Sequence, residues 1–297
     1  MSNKGSTVLF DALGPRGRLW SRFASGISAI IILVLLVLAG IQLDDQGFFD
    51  QDRWVNPLDA LIIETTWLPM LLSTLEAAAL GAIGALLLGA IIGMGRVSRS
   101  AVTRGAAGTY VQFFRAMPVY LLIWIPFTLD GQLGFTRGLG IDGDTRRVIF
   151  LVLGLAVYNG AVLAEIIRSG INSLPPGQAM AGQAIGLQHG QVMRIIVLPQ
   201  AIRNMLPAVL AQLVILLKDT ALGYAITYPE LLHGAEIIAH DYSRSYLQVF
   251  LIAAFVYFVL AYGLSKLVTL VEKRTQRKVP KKAAKVEAGP VADPAAV

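Results

Sequence analysis

The residues of this chain that could do chemistry are polar groups set inside apolar runs. Lys218, Asp219 and Thr220 stand together in one such run, with Gly223 close behind. Asn159, Glu165 and Arg168 punctuate another, and Arg115 and Glu76 interrupt two more. An ionisable group at membrane depth is expensive, so each is a functional candidate by default. Adjacent helical residues point about 100° apart, so Lys218 and Asp219 do not simply pair with each other. At least one faces a neighbouring helix or a wet pathway, where a lysine suits a substrate carboxylate; a structural ion pair is the alternative. Glu165 and Arg168, three apart on one face, read as a local ion pair, with a substrate role as the alternative. Asn159 suits either an interhelical hydrogen bond or a substrate contact. Arg115 can snorkel to a membrane surface, and Glu76 suits a bond to a neighbouring helix or a partner chain.

None of this makes a reaction centre. His-Glu-x-x-His, Gly-x-Ser-x-Gly and a clustered intramembrane carboxylate pair are absent. There is no cysteine, which excludes disulfides and thiolate metal sites, and the scattered His189, His233 and His240 argue against a His-based one. No Gly-x-x-x-x-Gly-Lys-[Ser/Thr] phosphate loop occurs, so the chain does not hydrolyse ATP. It reads as a non-enzyme with no cofactor and no metal of its own.

A second feature is the polar interruption from Ser169 to Asn204. Ser173–Leu174–Pro175–Pro176 ends the preceding apolar run, because two prolines cannot continue a helix although they can precede one. Gln178 to Leu187 then predicts a short helix that Gly186 is placed to end. Gln191 to Leu198 predicts a second helical stretch with Val192, Ile195 and Ile196 on a shared face, interrupted at Pro199. The product is a helix–turn–helix pair across the membrane surface. It either tucks against lipid and other helices or is handed to a partner.

The elements that position these groups follow from composition. Of 297 residues, 55% are hydrophobic, too many for an ordinary soluble domain, and several apolar runs are long enough to cross a bilayer. Six spans are expected, near Ile27–Leu43, Trp67–Met94, Tyr110–Leu129, Val148–Ile167, Met205–Tyr228 and Tyr246–Leu270. The first has an apolar core longer than a signal peptide's and no Ala-x-Ala site after it, so it reads as an uncleaved anchor. With a cytoplasmic N-terminus, eighteen basic residues lie inside and five (Arg53, Arg137, Arg146, Arg147 and Arg244) outside; Arg115 and Lys218 complete the 25. The positive-inside rule then makes both termini and the 169–204 loop cytoplasmic. The net charge of +6 follows this membrane pattern and does not indicate nucleic acid. Asp44–Thr66 is an acidic, aromatic-bearing outer connection, and the Ala, Pro, Lys and Val composition from Val279 onward predicts a disordered tail. Gly89 and Gly93 form a Gly-x-x-x-Gly pair, read as general helical packing in preference to a dimer seam.

The loop spacing carries a resemblance. Met180–Ala181–Gly182, three residues, Gly186, nine residues, Ile196, one residue and Leu198–Pro199 resembles the coupling loop of ABC importer permeases, written Glu-Ala-Ala, three residues, Gly, nine residues, Ile, one residue, Leu-Pro. Tyr110–Val119, Tyr158–Ile171, Leu217–Leu222 and Tyr228–Pro229–Glu230–Leu231 look like the polar amino acid branch of that family. The resemblance covers about 67 to 273. The extra first span and the wording of 113–119 look most like glutamate-type uptake permeases.

The resemblance implies an all-α membrane protein of the prokaryotic cytoplasmic membrane, a five-helix type I importer core plus one extra N-terminal span. Residues 1–66 would be the N-terminus, anchor and outer connection, 67–273 the permease domain and 274–297 a basic tail. It also implies an ATPase homodimer using ATP and magnesium in separate chains, a second permease subunit (a related chain in a heterodimer, with a homodimer as the alternative) and an extracytoplasmic amino-acid-binding protein. Met180 stands where the family has Glu, and Gly182 where it has Ala, so docking would rest on shape and apolar burial without the acid's salt bridge. Glu76–Ala77–Ala78 spells the family's three letters but lies inside a span without the rest of the motif. An ion-coupled secondary transporter is the competing reading, and neither an inverted repeat in the hydropathy nor a role for the helical loop favours it.

Overall fold

The computed structural model describes residues 14–276, which are helical with no strand among them. They form two compact units that divide after Leu58. In the first, α1 (Pro15–Asp45) runs 31 residues and is exposed along nearly all of them, as expected of the first span. The short α2 (Gln51–Val55) follows. Trp54 donates its indole N–H to the Phe48 carbonyl at 2.8 Å, and Phe48 meets Phe49 and Trp54 edge-on at 5.1 and 5.3 Å. These ring contacts tie the end of α1 to α2.

The second unit holds the remaining spans. A π-turn at Ile63–Trp67 leads into α3 (Leu68–Arg96). Its buried residues, Thr74, Ala77, Gly81, Ala85, Gly89 and Gly93, recur every three or four positions and so form one stripe of small side chains. That stripe faces α6, described below. Next come α4 (Ala101–Ala116) and α5 (Val119–Leu133), bent by 94° at Met117–Pro118. Proline disfavours a helical conformation at the residue before it, and Met117 is extended. The third expected span, Tyr110–Leu129, is therefore a broken pair of helices.

Beyond α5, Gly134 caps the helix in the left-handed region. The buried Asp130 accepts from the Thr136 amide (2.9 Å) and hydroxyl (2.6 Å) and is paired with Arg146, whose guanidinium lies 4.0 Å from the centre of the Phe127 ring. This knot joins the end of α5 to α6 (Gly143–Asn172). Asp142 caps α6 by accepting from the Asp144 and Thr145 amides, and its bonds to Thr145 hold the carboxyl below the usual carboxylate range.

α6 is the central helix. A Cβ added at Gly84, Gly89 or Gly93 of α3 would lie 2.7 to 2.9 Å from the Cβ atoms of Ala156, Leu163 or Ile167. From the other side, one added at Gly160 would lie 3.0 Å from the Leu88 Cβ, and one at Gly154 would strike Ile123 of α5. Gly89 and Gly93 thus belong to an internal seam, the packing role expected for them.

After α7 (Pro176–Ala184) and the loop, α8 (Leu198–Asp219) passes into a 3₁₀ segment, Thr220–Ile226. α9 (Leu231–Asp241) and α10 (Tyr246–Gln276) complete the unit. Among the described residues five helices, Arg16–Asp45, Ala60–Arg96, Gly143–Asn172, His189–Ile226 and Tyr246–Leu270, are long and apolar enough to cross a membrane, and the α4–α5 pair makes a sixth if it counts as one span. The tail expected from Val279 onward lies outside the described residues.

Candidate functional site

The loop is a hairpin of two arms. Pro176 opens α7, where a missing amide proton costs nothing because the first turn has no acceptor for it. α7 ends at Ala184, and Gly186 follows with φ +89°, a value that favours glycine. The Leu187 amide bonds back to the Gly182 carbonyl at 3.1 Å, the long closing bond of a glycine helix stop, so Gly186 acts where the sequence placed it. The second arm runs from His189 through a π-turn, Met193–Val197, directly into α8.

Pro199 does not interrupt that arm, contrary to the expectation. It sits in the first turn of α8, and the preceding π-turn absorbs the register change its missing N–H would otherwise force. The second arm and the following span are one continuous helical element.

The arms meet at Gly182, which is buried: an added Cβ would stand 2.7 Å from the Ile196 Cδ1 and 3.1 Å from a Val192 methyl. The glycine in place of the family's alanine therefore has a steric reason. Ile171, Val192, Val197 and Ala201 form the core beneath, with Ala179, Leu187 and Leu198 against it. The rest of the hairpin stays open: Met180, Ile185 and Ile195 are 60%, 78% and 62% exposed, so Ile195 does not share the covered face of Val192 and Ile196, contrary to the expectation. Ala181 and Pro199 are exposed, and Ile196 and Leu198 half-buried. The loop motif is thus split between a buried joint and a presented apolar face.

The intramembrane candidates lie elsewhere. Leu198 and Lys218 are at opposite ends of the 22-residue α8, about 30 Å apart by helical rise. Lys218 is exposed, Asp219 half-buried and Thr220 fully buried. The Thr220 hydroxyl donates to the Leu217 carbonyl at 2.7 Å, and the chain passes into 3₁₀ from Thr220 onward. Asn159 is fully buried, donates to the Leu155 carbonyl at 3.0 Å and accepts from Gln212 of α8 at 2.7 Å, so it ties two helices. Glu165 pairs with Arg168 on its own helix and with Arg96 at the end of α3, at 3.2 Å. Arg115 is exposed in the last turn of α4, where a cation suits the helix dipole. Glu76 is exposed on α3.

Several working residues escaped the sequence reading. Arg96 entered it only as a charge, and Gln212 was one amide in an apolar run. Glu230, quoted only as part of a motif, is fully buried and caps α9 by accepting from the Leu232 and His233 amides at 2.8 Å each. Tyr257 of α10 donates to the same carboxylate at 2.7 Å, and Thr74 of α3 accepts from the Leu231 amide at 3.1 Å. Only the repeated pattern of polar groups in apolar segments could have flagged them. Among the described residues no three His, Asp or Glu side chains are grouped to hold a metal ion.

Comparison with known proteins places these features in a wider set. Residues 85–277 match the family described as binding-protein-dependent transport system inner membrane component. The glutamate transport system permease protein of Corynebacterium glutamicum is 35% identical over 232 residues, 78% of this chain and 83% of that one. The glutamate/aspartate import permease protein of Escherichia coli is 34% identical over 206 residues, 69% of this chain and 91% of its own. Among solved structures, that of an amino acid ABC transporter with histidines superposes with a TM-score of 0.65 at 29% identity, covering 74% of this chain and 98% of that one.

Proposed function

This chain belongs to the binding-protein-dependent transport system inner membrane component family, and on that premise we propose that it is a permease subunit of an ABC importer for a polar amino acid, glutamate or a close relative. The relatives named for glutamate and glutamate/aspartate transport support the substrate class, and none of these matches favours an ion-coupled carrier. In this reading 67–273 is the transporting domain, 1–66 an added anchor with its outer connection and 274–297 a basic cytoplasmic tail. The excess of basic residues at the loop end makes that end cytoplasmic, with both termini on the same side.

The observation that carries the mechanism is the two-sided hairpin. Its inner side is locked to the ends of α6 and α8 by Ile171, Val192, Val197 and Ala201, while Met180, Ile185 and Ile195 face outward. Exposed apolar side chains on a hairpin packed against the ends of two long helices support docking onto the ATPase homodimer, which binds ATP and magnesium itself. Because the second arm continues into α8, a push on the hairpin moves the element that bears Lys218 and Asp219 at its far end. Met180 supplies the contact by apolar burial where the family's acid would add charge.

A second permease subunit, related in sequence to this one, completes the pathway, and an extracytoplasmic binding protein delivers the solute. Asn159, Thr220 and Glu165 already have partners within the chain. Lys218, with Asp219 beside it, is therefore the pathway group best placed to meet a substrate carboxylate.

Co-purification and uptake test the reading together. The solubilised chain is expected to bring down an ATPase subunit, and uptake of labelled glutamate into cells is expected to stop on ATP depletion with the ion gradient intact. Uptake that survives depletion with no ATPase recovered would defeat it. Competition only by basic amino acids would defeat the glutamate assignment alone.

A further inference from the structure

The 3₁₀ segment Thr220–Ile226 ends on a strained residue. Thr227 has φ +53°, and among the described residues it is the only non-glycine residue in the left-handed region. A branched side chain is an outlier there, because its Cβ crowds the backbone. The turn itself is a common helix stop: the Thr227 amide bonds to the Tyr224 carbonyl at 3.1 Å and the Tyr228 amide to the Gly223 carbonyl at 3.0 Å. The end of α7 closes with the same pair of bonds, and there Gly186 takes the left-handed position. Thr227 therefore carries a strain that Gly186 avoids.

Such strain persists only where the surroundings impose it, and it collects at switch regions. Here both flanks are held. Ahead of the turn Ile226 is buried, and a Cβ added at Gly223 would stand 2.9 Å from the Leu151 Cδ2 of α6. Behind it the buried Tyr228 donates its hydroxyl to the Ser73 carbonyl of α3 at 2.9 Å. The Leu231 amide is held by Thr74 of α3, and the Glu230 carboxylate by Tyr257 of α10. Arg147, near the start of α6, donates from Nε to the Thr227 hydroxyl oxygen at 3.3 Å. Thr227 thus stands between the far end of the element that bears Lys218 and Asp219 and a stretch tied to α3 and α10.

We propose that Thr227 is a strained joint of the transport cycle, held left-handed in this conformation and relaxed when α8 shifts. The inference rests on the importer reading above and gives its moving element a joint. A glycine would make the same turn without strain, so threonine raises the free energy of this conformation alone. A residue that disfavours one conformation shifts the population towards the other by the same factor.

The test uses the full complex, with its ATPase, partner permease and binding protein, in proteoliposomes. ATP-driven uptake of labelled glutamate is read beside the thermal midpoint of the chain in detergent. Thr227→Gly is expected to raise the midpoint by about 2–4 °C, because the turn keeps its backbone bonds and loses its strain. It should also lower the maximal uptake rate about fivefold, with half-saturating glutamate changed by less than about twofold. Thr227→Asn, which tolerates the left-handed region better, should fall between wild type and Thr227→Gly on both readings. Thr227→Val keeps the branched strain without the hydroxyl and should transport within about twofold of wild type. A raised midpoint with wild-type uptake in Thr227→Gly would overturn the joint. So would an unchanged midpoint, or a Thr227→Val complex as slow as Thr227→Gly. A wild-type complex with no ATP-driven uptake would instead overturn the importer reading.

Discussion

The α3–α6 seam and the loop hairpin both close over glycines, yet they use that closeness for opposite purposes. Along the seam, Gly84, Gly89 and Gly93 of one helix and Gly160 of the other follow one another through the contact, and each missing Cβ faces a Cβ or backbone atom of the other helix. Nothing there can yield without moving a backbone. In the hairpin a single glycine, Gly182, brings α7 onto the far end of the Ile196 side chain, which can rotate away. The seam buries its contact stripe, whereas the hairpin leaves Met180, Ile185 and Ile195 in the open. Close packing thus sits where two helices must behave as one body, and exposed apolar surface sits on the element suited to carry a partner.

The comparison breaks first at the seam. Gly89→Leu should destabilise by about 3 kcal/mol or more, because the new side chain meets the Leu163 Cβ and the Gly160 carbonyl. A thermal midpoint in detergent unchanged from wild type would show that the seam is looser than described. Next, Asn159→Leu should cost about 2 kcal/mol by stranding the buried Gln212 amide. The double variant Asn159→Leu/Gln212→Leu should recover most of that loss, and a double variant no more stable than the single one would show that the two amides are not coupled.

A smaller effect is expected of Glu165→Gln, which leaves Arg96 and Arg168 without their shared counter-charge. The cluster is partly solvated, so about 1 kcal/mol is appropriate, read as a lower midpoint whose deficit shrinks in high salt. A deficit that does not respond to salt would argue against a charge effect. Gly182→Ala should cost about 1 kcal/mol or less, because a movable methyl takes up the strain. If it proves as damaging as Gly89→Leu, the contrast between seam and hairpin fails. Last, Ile185→Ser should shift the chain's own stability by less than about 0.5 kcal/mol while weakening ATPase recovery in pull-downs. A variant that keeps full recovery would remove Ile185 from the docking face.

Much of the fold was legible because long apolar runs have few physical solutions: in a bilayer the backbone must satisfy itself, and helices do so. Gly186 could be assigned from sequence because helix stops are local events. The Glu165–Arg168 pair was equally legible, since three-residue spacing on a helix fixes neighbourhood without any tertiary knowledge. Pro199 was misjudged for a complementary reason. A proline's effect depends on whether it falls in a first turn, and the π-turn that decides this leaves no mark in the residue types. The break inside Tyr110–Leu129 shows the limit of hydropathy: Pro118 signalled a bend, but composition carries no angle.

By itself, then, the sequence determined the helical membrane class, the place of the loop and the spacing of its motif, because periodicity, chain breakers and charge act over a few neighbouring residues. Only the tertiary structure decided which polar groups are engaged and which are free. Asn159 and Gln212, Glu165 and Arg96, and Glu230 and Tyr257 meet across helices from distant parts of the chain. The same holds for Gly182, whose reason is a methyl group fourteen residues away. Such meetings depend on how helices pack, and packing is a property of whole faces that no single segment contains.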